Sequence, residues 1–195
     1  MRNQKILKLV QLAMLIAIML VLYFSGLSFI MVPPVSITTL VIPVIVGAII
    51  IGPSAGAVLG GVFGLLSMWM ATTAAASPAD IAFSPFISGS PVSSLIMCIG
   101  ARIFFGWLAG FLFKVLKKHM NRNIAVILSS VAGVVAHTST VMLCLWLLFP
   151  ALGNEFKTVI TAVISWNVLA EVAMATVFAV AFANVMPLIN KKFKN

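Results

Sequence analysis

The stretch SSLIMCIGARIFFGWLAGFLF, residues 93–113, has the composition of one membrane-crossing helix with a charge near its middle. A run of about 20 apolar residues is long enough to cross the hydrocarbon core of a bilayer as an α-helix. Arg102 interrupts this run, with apolar residues on both sides. Because an ionisable side chain at membrane depth is costly, the stretch predicts a transmembrane helix and a pairing or functional role for Arg102.

The composition of the whole chain agrees with a membrane protein. Of its 195 residues, 63% are apolar and 8% are charged, whereas about a quarter of the residues in a soluble domain are charged. The first apolar run, which begins at Leu9, is too long for the core of a signal peptide, so we expect a retained first span. The net charge of +9 fits membrane topology better than nucleic-acid binding, because the basic residues lie at the ends of predicted helices.

Six transmembrane helices are predicted, in a single domain that covers residues 1–195. They are expected at residues 9–31, 36–52, 54–75, 92–116, 123–149 and 157–189. The prolines of VPPVS (32–36) and the turn IGPSAG (51–56) separate the first three spans. Residues 74–91 contain three prolines and are expected to form a long loop.

The basic residues predict the orientation of the chain. Ten of the twelve lysines and arginines fall on one side of the six-span arrangement, and the opposite side carries Asp80, Glu155 and Lys157. Since cytoplasmic loops are enriched in basic residues, we expect both termini in the cytoplasm and the loop 74–91 outside. The predicted fold class is an all-α membrane protein.

The candidate polar side chains at membrane depth are Arg102 in the fourth span, His137 in the fifth, and Asn167 and Glu171 in the sixth. Asn167 and Glu171 are four residues apart and share a helix face. Arg102 and Glu171 could form a buried ion pair that joins two helices, or either residue could contact a polar ligand. Trp69 is compatible with the aromatic belt at the membrane interface and with the wall of a pocket.

Several functions are disfavoured by this inventory. The chain has three carboxylates, two of them predicted outside, so we expect neither a two-carboxylate catalytic site nor a metal cluster at depth. GPSAGAVLGG (52–61) has glycines but lacks the lysine of a phosphate-binding loop, so we expect no ATP hydrolysis by this chain. Cys98 and Cys144 fall inside predicted spans and are interpreted as packing residues.

Two helices carry small residues at four-residue spacing, which lets another helix approach closely. Ala13 and Ala17 form one such pair in the first span, and Gly56, Gly60 and Gly64 form a ladder in the third. We expect tight packing inside the protein and one contact with another protein.

The sequence resembles the substrate-binding S components of energy-coupling factor (ECF) vitamin transporters. The segments that carry this resemblance are LAMLIA (12–17), TTLVIPVIVGAIIIGPSAGAVLGGVFGLLSMW (38–69), FSPF (83–86) and IGARIFFGWLAG (99–110). It implies a multi-pass protein of the bacterial plasma membrane that binds a vitamin near the outer face. It also implies partners, namely a membrane coupling subunit and two ATPase subunits that use the ATP, with no cofactor in this chain. Ala13 and Ala17 are then the expected contact with the coupling subunit.

The resemblance also indicates a substrate and a site. The pattern is most similar to pantothenate-type S components, and pyridoxine or hydroxymethylpyrimidine is the alternative. We expect Arg102, Asn167 and Glu171 to line the site, with His137, Trp69 and Ser84 as further candidates and the loop 74–91 as a lid. The chain has Ala101-Arg102 where Pro-Arg is common in the family, and His137-Thr138 where Asn-Thr is common.

Two other kinds of protein are compatible with the same residues. A self-sufficient carrier could move protons through His137 and Glu171, and a small scaffold could assemble other membrane proteins. An enzyme is not expected, because too few acid and base groups are present.

Overall fold

The computed structural model describes residues 2–32, 35–75, 78–149 and 168–192, which form a helical bundle with one short β-hairpin. Its elements are α1 (Arg2–Phe24), β1 (Phe29–Val32), β2 (Val35–Thr38), α2 (Val41–Ile50), α3 (Pro53–Thr73), α4 (Pro78–Phe83), α5 (Pro91–Leu95), a π-helical turn (Ile96–Gly100), α6 (Ala101–Leu116), α7 (Arg122–Leu148) and α8 (Val168–Lys192). Within these ranges, five helical stretches are long and apolar enough to cross a membrane, and α2 is a shorter apolar helix. The all-α membrane fold is confirmed, while the orientation of the termini stays a prediction.

The first predicted span is too long at its C-terminal end. Helix α1 ends at Phe24, because Gly26 adopts a positive φ of 75°. The amide of Gly26 donates to the carbonyl of Tyr23, and that of Leu27 donates to the carbonyl of Leu22. This pair of bonds is the Schellman motif, which terminates helices at a left-handed glycine. Hydropathy continues past this point, so the apolar pattern alone missed the turn.

The second predicted span, 36–52, is also corrected. Its first part is strand β2, which pairs antiparallel with β1 in the register Phe29 to Thr38. The helix α2 that follows has ten residues and therefore rises roughly 15 Å, about half of the hydrocarbon thickness. Strand β2 and α2 together occupy the residues that the sequence assigned to a full transmembrane helix.

Helices α3 and α6 pack with their backbones in close approach. A Cβ atom built at Gly60 would collide with the carbonyl oxygen of Arg102, and one built at Gly56 would collide with the carbonyl of Gly106. A Cβ atom built at Gly64 would lie 2.6 Å from the carbonyl oxygen of Cys98. The predicted glycine ladder is therefore confirmed as an internal packing face.

The remaining spans agree with the sequence where the structure describes them. Helix α3 matches the third predicted span, and α7 matches the fifth, within three residues. The continuous helical rod 91–116, formed by α5, the π-helical turn and α6, matches the fourth. Helix α8 begins inside the sixth prediction and ends three residues beyond it, and residues 157–167 of that span lie outside the described residues. The predicted loop 74–91 contains the short helix α4. The main core includes Phe63 and Phe105, both fully buried.

Candidate functional site

Arg102 lies inside the bundle, directly after the π-helical turn, and only 5% of its side chain is exposed. Its Nη1 donates to the carbonyl oxygen of Cys98 at 3.1 Å and more weakly to that of Met97 at 3.5 Å. The widened turn, in which Ala101 N–H bonds the carbonyl of Ile96, loosens the regular helical hydrogen-bond pattern around these carbonyls. The guanidinium therefore points back toward the N-terminal end of the rod, the end predicted to face outward.

Two aromatic rings from other elements enclose the guanidinium. Its central carbon lies 4.6 Å from the ring centroid of Phe63 on α3 and 5.1 Å from that of Phe83 on α4. A cation over an aromatic face is stabilised by the ring quadrupole, by about 2 kcal/mol or more when desolvated. Ring faces and backbone carbonyls thus surround the charge, and Nε has no hydrogen-bond partner among the described residues.

His137 on α7 belongs to the same neighbourhood. Its ring centroid lies 5.0 Å from that of Phe105 and 5.7 Å from that of Phe63, and 6% of the side chain is exposed. In the described part of the chain, neither Nδ1 nor Nε2 has a hydrogen-bond partner, although both are buried. A neutral imidazole carries one donor and one acceptor, so this residue could bind a hydroxyl or amide group.

Glu171, near the start of α8, is buried at 4% exposure but does not contact Arg102 directly. Its Oε1 accepts a hydrogen bond of 3.0 Å from the backbone N–H of Thr38. No direct ion pair joins Glu171 and Arg102 within the described ranges. The structure engages Glu171 with the β-hairpin instead.

Ser84 belongs to a group of hydrogen bonds that link the C-terminal end of α4 to α3, α5 and the π-helical turn. Its Oγ lies 3.0 Å from Oγ1 of Thr72, and Ser94 Oγ donates to the carbonyl of Ala82 at 2.7 Å. The thiol of Cys98 contacts the carbonyl of Phe83 at 3.1 Å. These contacts fix the position of Phe83 over Arg102, so Ser84 supports the site through the predicted lid.

The other predicted residues lie away from this neighbourhood or outside the described chain. Trp69 is 64% exposed on the outer surface of α3, a position that suits the aromatic belt. Ala13 and Ala17 are exposed on α1. Asn167 lies outside the described residues.

A separate apolar groove runs between α1, α2 and α8, with a volume of about 420 Å³. Its walls are almost entirely hydrocarbon and include Leu15, Ile18, Leu22, Pro43, Phe178 and Phe182. A polar vitamin would leave its hydrogen-bonding groups unsatisfied there, which is costly. The cluster around Arg102 is therefore the better candidate for a polar substrate. No cluster of His, Cys, Asp or Glu suited to a metal ion occurs in the part of the chain that the structure describes.

Comparison with known proteins identifies the family. The sequence profile described as "ECF transporter, substrate-specific component" matches residues 7–189. The chain belongs to this family. It is also 32% identical over 169 residues to the pantothenic acid transporter PanT of Lactococcus lactis subsp. cremoris (strain MG1363), a match that covers 83% of this chain and 82% of the relative.

As an ECF substrate-specific component, or S component, the chain is a transport protein of the cell membrane that crosses the bilayer several times. The family assigns it a vitamin substrate and a partnership with an ECF module. This confirms the resemblance found in the sequence.

Sequence reasoning named Arg102, His137 and Glu171 as candidates but missed the groups that contact Arg102 and Glu171 in the structure. Phe63 and Phe83 contact Arg102, and the backbone of Thr38 contacts Glu171. Phe63 could have been inferred from its position in the Gly60–Gly64 turn, which faces α6. The sequence held no comparable signal for Thr38, because its contribution is a backbone N–H.

Proposed function

We propose that this S component binds pantothenate, with Arg102 as the group that recognises the substrate carboxylate. The observation that carries the proposal is a buried guanidinium whose described neighbours are aromatic rings and carbonyls, with no directly bonded carboxylate. A buried cation without a bound anion is costly, and a substrate carboxylate would supply both charge and hydrogen-bond acceptors. The likeness to a pantothenic acid transporter supports the same substrate.

The neighbouring groups suit the remainder of the molecule. Pantothenate carries an amide and two hydroxyls besides its carboxylate, and His137 offers a donor and an acceptor to such groups. Asn167, Glu171, Ser84 and Trp69 stay predictions of substrate contact. Within this proposal, the loop 74–91 closes the site as a lid that carries Phe83.

The chain is proposed to transport its substrate only in complex with a membrane coupling subunit and two ATPase subunits, which consume the ATP. Ala13 and Ala17 would contact the coupling subunit. Their exposure on α1 supports this assignment, since a close helix contact requires an uncovered face of small residues. No cofactor is expected in this chain.

Isothermal titration calorimetry of the detergent-purified protein tests the substrate. We expect saturable, one-site binding of pantothenate at submicromolar concentration and no saturable heat with pyridoxine or hydroxymethylpyrimidine. Saturable pyridoxine binding with a flat pantothenate titration would contradict the proposal and favour recognition through the aromatic rings around His137.

Uptake into proteoliposomes tests the mode of transport. The isolated chain should not accumulate radiolabelled pantothenate under a pH gradient, whereas the chain reconstituted with an ECF module and internal ATP should. Uptake by the chain alone that follows the pH gradient would establish a proton-coupled carrier instead.

A further inference from the structure

The π-helical turn Ile96–Gly100 interrupts an otherwise regular helical rod. The backbone N–H of Ala101 donates to the carbonyl of Ile96, five residues back, whereas a regular α-helix would pair it with Met97, four residues back. A turn closed in this way holds one additional residue, and such turns occur frequently at functional sites. Here the turn directly precedes Arg102.

The carbonyl groups of this turn accept hydrogen bonds from the side chain of Arg102. Its Nη1 lies 3.1 Å from the carbonyl oxygen of Cys98 and 3.5 Å from that of Met97. The N–H of Ala101, which would occupy the Met97 carbonyl in a regular helix, is engaged with Ile96 instead. The altered pairing of the turn therefore makes room for the guanidinium among the backbone groups of its own helix.

The surroundings of Cys98 fix the carbonyl that Arg102 contacts. A Cβ atom at Gly64 would lie 2.6 Å from the Cys98 carbonyl oxygen, so the backbone of α3 lies directly against this group. The thiol of Cys98, which is fully buried, contacts the carbonyl of Phe83 at 3.1 Å. Because neighbours hold the residue on two sides, its carbonyl gives the guanidinium a defined position in the substrate-free protein.

The acceptors that hold Arg102 are neutral. A backbone carbonyl offers the guanidinium one partial charge, whereas a carboxylate offers a full charge and two oxygens for a bidentate pair. A substrate carboxylate can therefore replace the carbonyls at a gain. A neutral hydroxyl in the same place gives no stronger bond than the carbonyls already do, so it does not displace them.

We propose that the π-helical turn makes the site selective for an anionic substrate: its carbonyls hold Arg102 in the substrate-free protein and release it to the substrate carboxylate. Met97 and Cys98 act as positioning residues through their backbones. The identity of the anion rests on the proposed function, whereas the contact between Arg102 and Cys98 exists without substrate.

Carbon-13 NMR of protein labelled at the cysteine carbonyls measures this exchange of partners. The chain contains two cysteines, so Cys98 reports on the turn, Cys144 on α7 is the internal control, and Cys144→Ala assigns the two resonances. Without substrate, Arg102→Met should shift the Cys98 resonance upfield, because its oxygen loses a donor. Saturating pantothenate should shift it upfield in the parent protein. Panthenol, the alcohol analogue, should not, and neither compound should move it in Arg102→Met.

Deletion of Gly100 measures what the turn contributes to selectivity. Gly100 is exposed, and its removal makes the bond between Ala101 and Ile96 a regular four-residue bond, so the helices on both sides keep their faces. The variant should melt like the parent and bind panthenol equally, while its affinity for pantothenate falls about tenfold.

Deletion of Phe104 is the matched control, because this exposed residue belongs to the regular helix α6. No additional residue is present there, so its removal should rotate one part of the helix against the other by about 100° and prevent folding.

Different results would overturn different parts of the inference. An unmoved Cys98 resonance in a protein that binds pantothenate by calorimetry would contradict the exchange of partners and leave the proposed function intact. Absence of pantothenate binding would contradict the proposed function, and the exchange with it. A Gly100 deletion that keeps the parent's preference for pantothenate, or that fails to fold as the Phe104 deletion should, would show that the turn does not determine selectivity.

Discussion

The glycine ladder of α3 and the alanine pair of α1 have the same four-residue spacing but different surroundings. Gly56, Gly60 and Gly64 lie against the backbone of α6, where a Cβ atom would clash with a carbonyl group. Ala13 and Ala17 are exposed, and most large side chains of α1 are exposed with them. Spacing of small residues thus predicts a close helix contact without telling which protein supplies the second helix.

Burial of the two helices explains the difference. In the most apolar 18-residue stretch of each helix, 44% of the residues are buried in α3 and 11% are buried in α1. Helix α3 finds its partner inside the chain and positions Phe63 against Arg102 by doing so. Helix α1 keeps its small-residue face uncovered, which is what the proposed contact with a coupling subunit needs.

The largest expected effect is the loss of the fold in Gly60→Ala. The added Cβ would collide with the carbonyl oxygen of Arg102, which is backbone and cannot move aside. We expect a destabilisation of about 3 kcal/mol or failure to fold, at the upper end of the range for overpacking. Gly61→Ala is the control, since its Cβ would meet only the flexible Ile103 side chain at 3.6 Å. Equal melting temperatures for the two variants in detergent would contradict the close approach.

The second prediction concerns the exposed face. Ala13→Leu with Ala17→Leu should leave melting temperature and substrate affinity near those of the parent but weaken assembly with the ECF module about 100-fold, through steric exclusion of the partner helix. Pull-down by an affinity-tagged module measures this. Ala173→Leu, at an exposed position on α8, is the matched control. Full assembly of the double variant would show that this face is covered by lipid.

The smallest expected effect is on stability, at a helix contact that is tight but does not exclude a Cβ atom. A Cβ atom at Gly133 on α7 would lie 3.0 Å from the Cβ of Ala109, so Gly133→Ala should cost about 1 kcal/mol. Adding Ala109→Gly should restore much of the stability, because it removes the opposing methyl group. Thermal unfolding of both variants checks this, and a double variant less stable than Gly133→Ala alone would contradict the packing.

The sequence predicted the helical bundle and the buried polar groups because both depend on local composition. Long apolar runs locate α3, α6 and α7, and a charge at membrane depth singles out Arg102. Hydropathy does not predict the hairpin, because it does not distinguish an apolar strand from an apolar helix, and it gives no signal for the turn at Gly26.

The site was only partly predictable for a related reason. Which side chains enclose Arg102, and which backbone N–H engages Glu171, depends on contacts between residues far apart in the chain. Ser84 and Trp69 were reasonable candidates by residue type. The structure gives Ser84 a role in fixing α4 and places Trp69 on the outer surface.

A binding cycle between Arg102 and the substrate carboxylate tests the central claim most directly. Calorimetry would compare pantothenate with panthenol, its alcohol analogue, on the parent protein and on Arg102→Met. The parent should prefer pantothenate by at least about 2 kcal/mol, the range for a buried hydrogen-bonded charge pair. Arg102→Met should bind both compounds with equal, weak affinity. An unchanged preference for pantothenate in Arg102→Met, in a variant that melts like the parent, would contradict the assignment of Arg102 to the carboxylate.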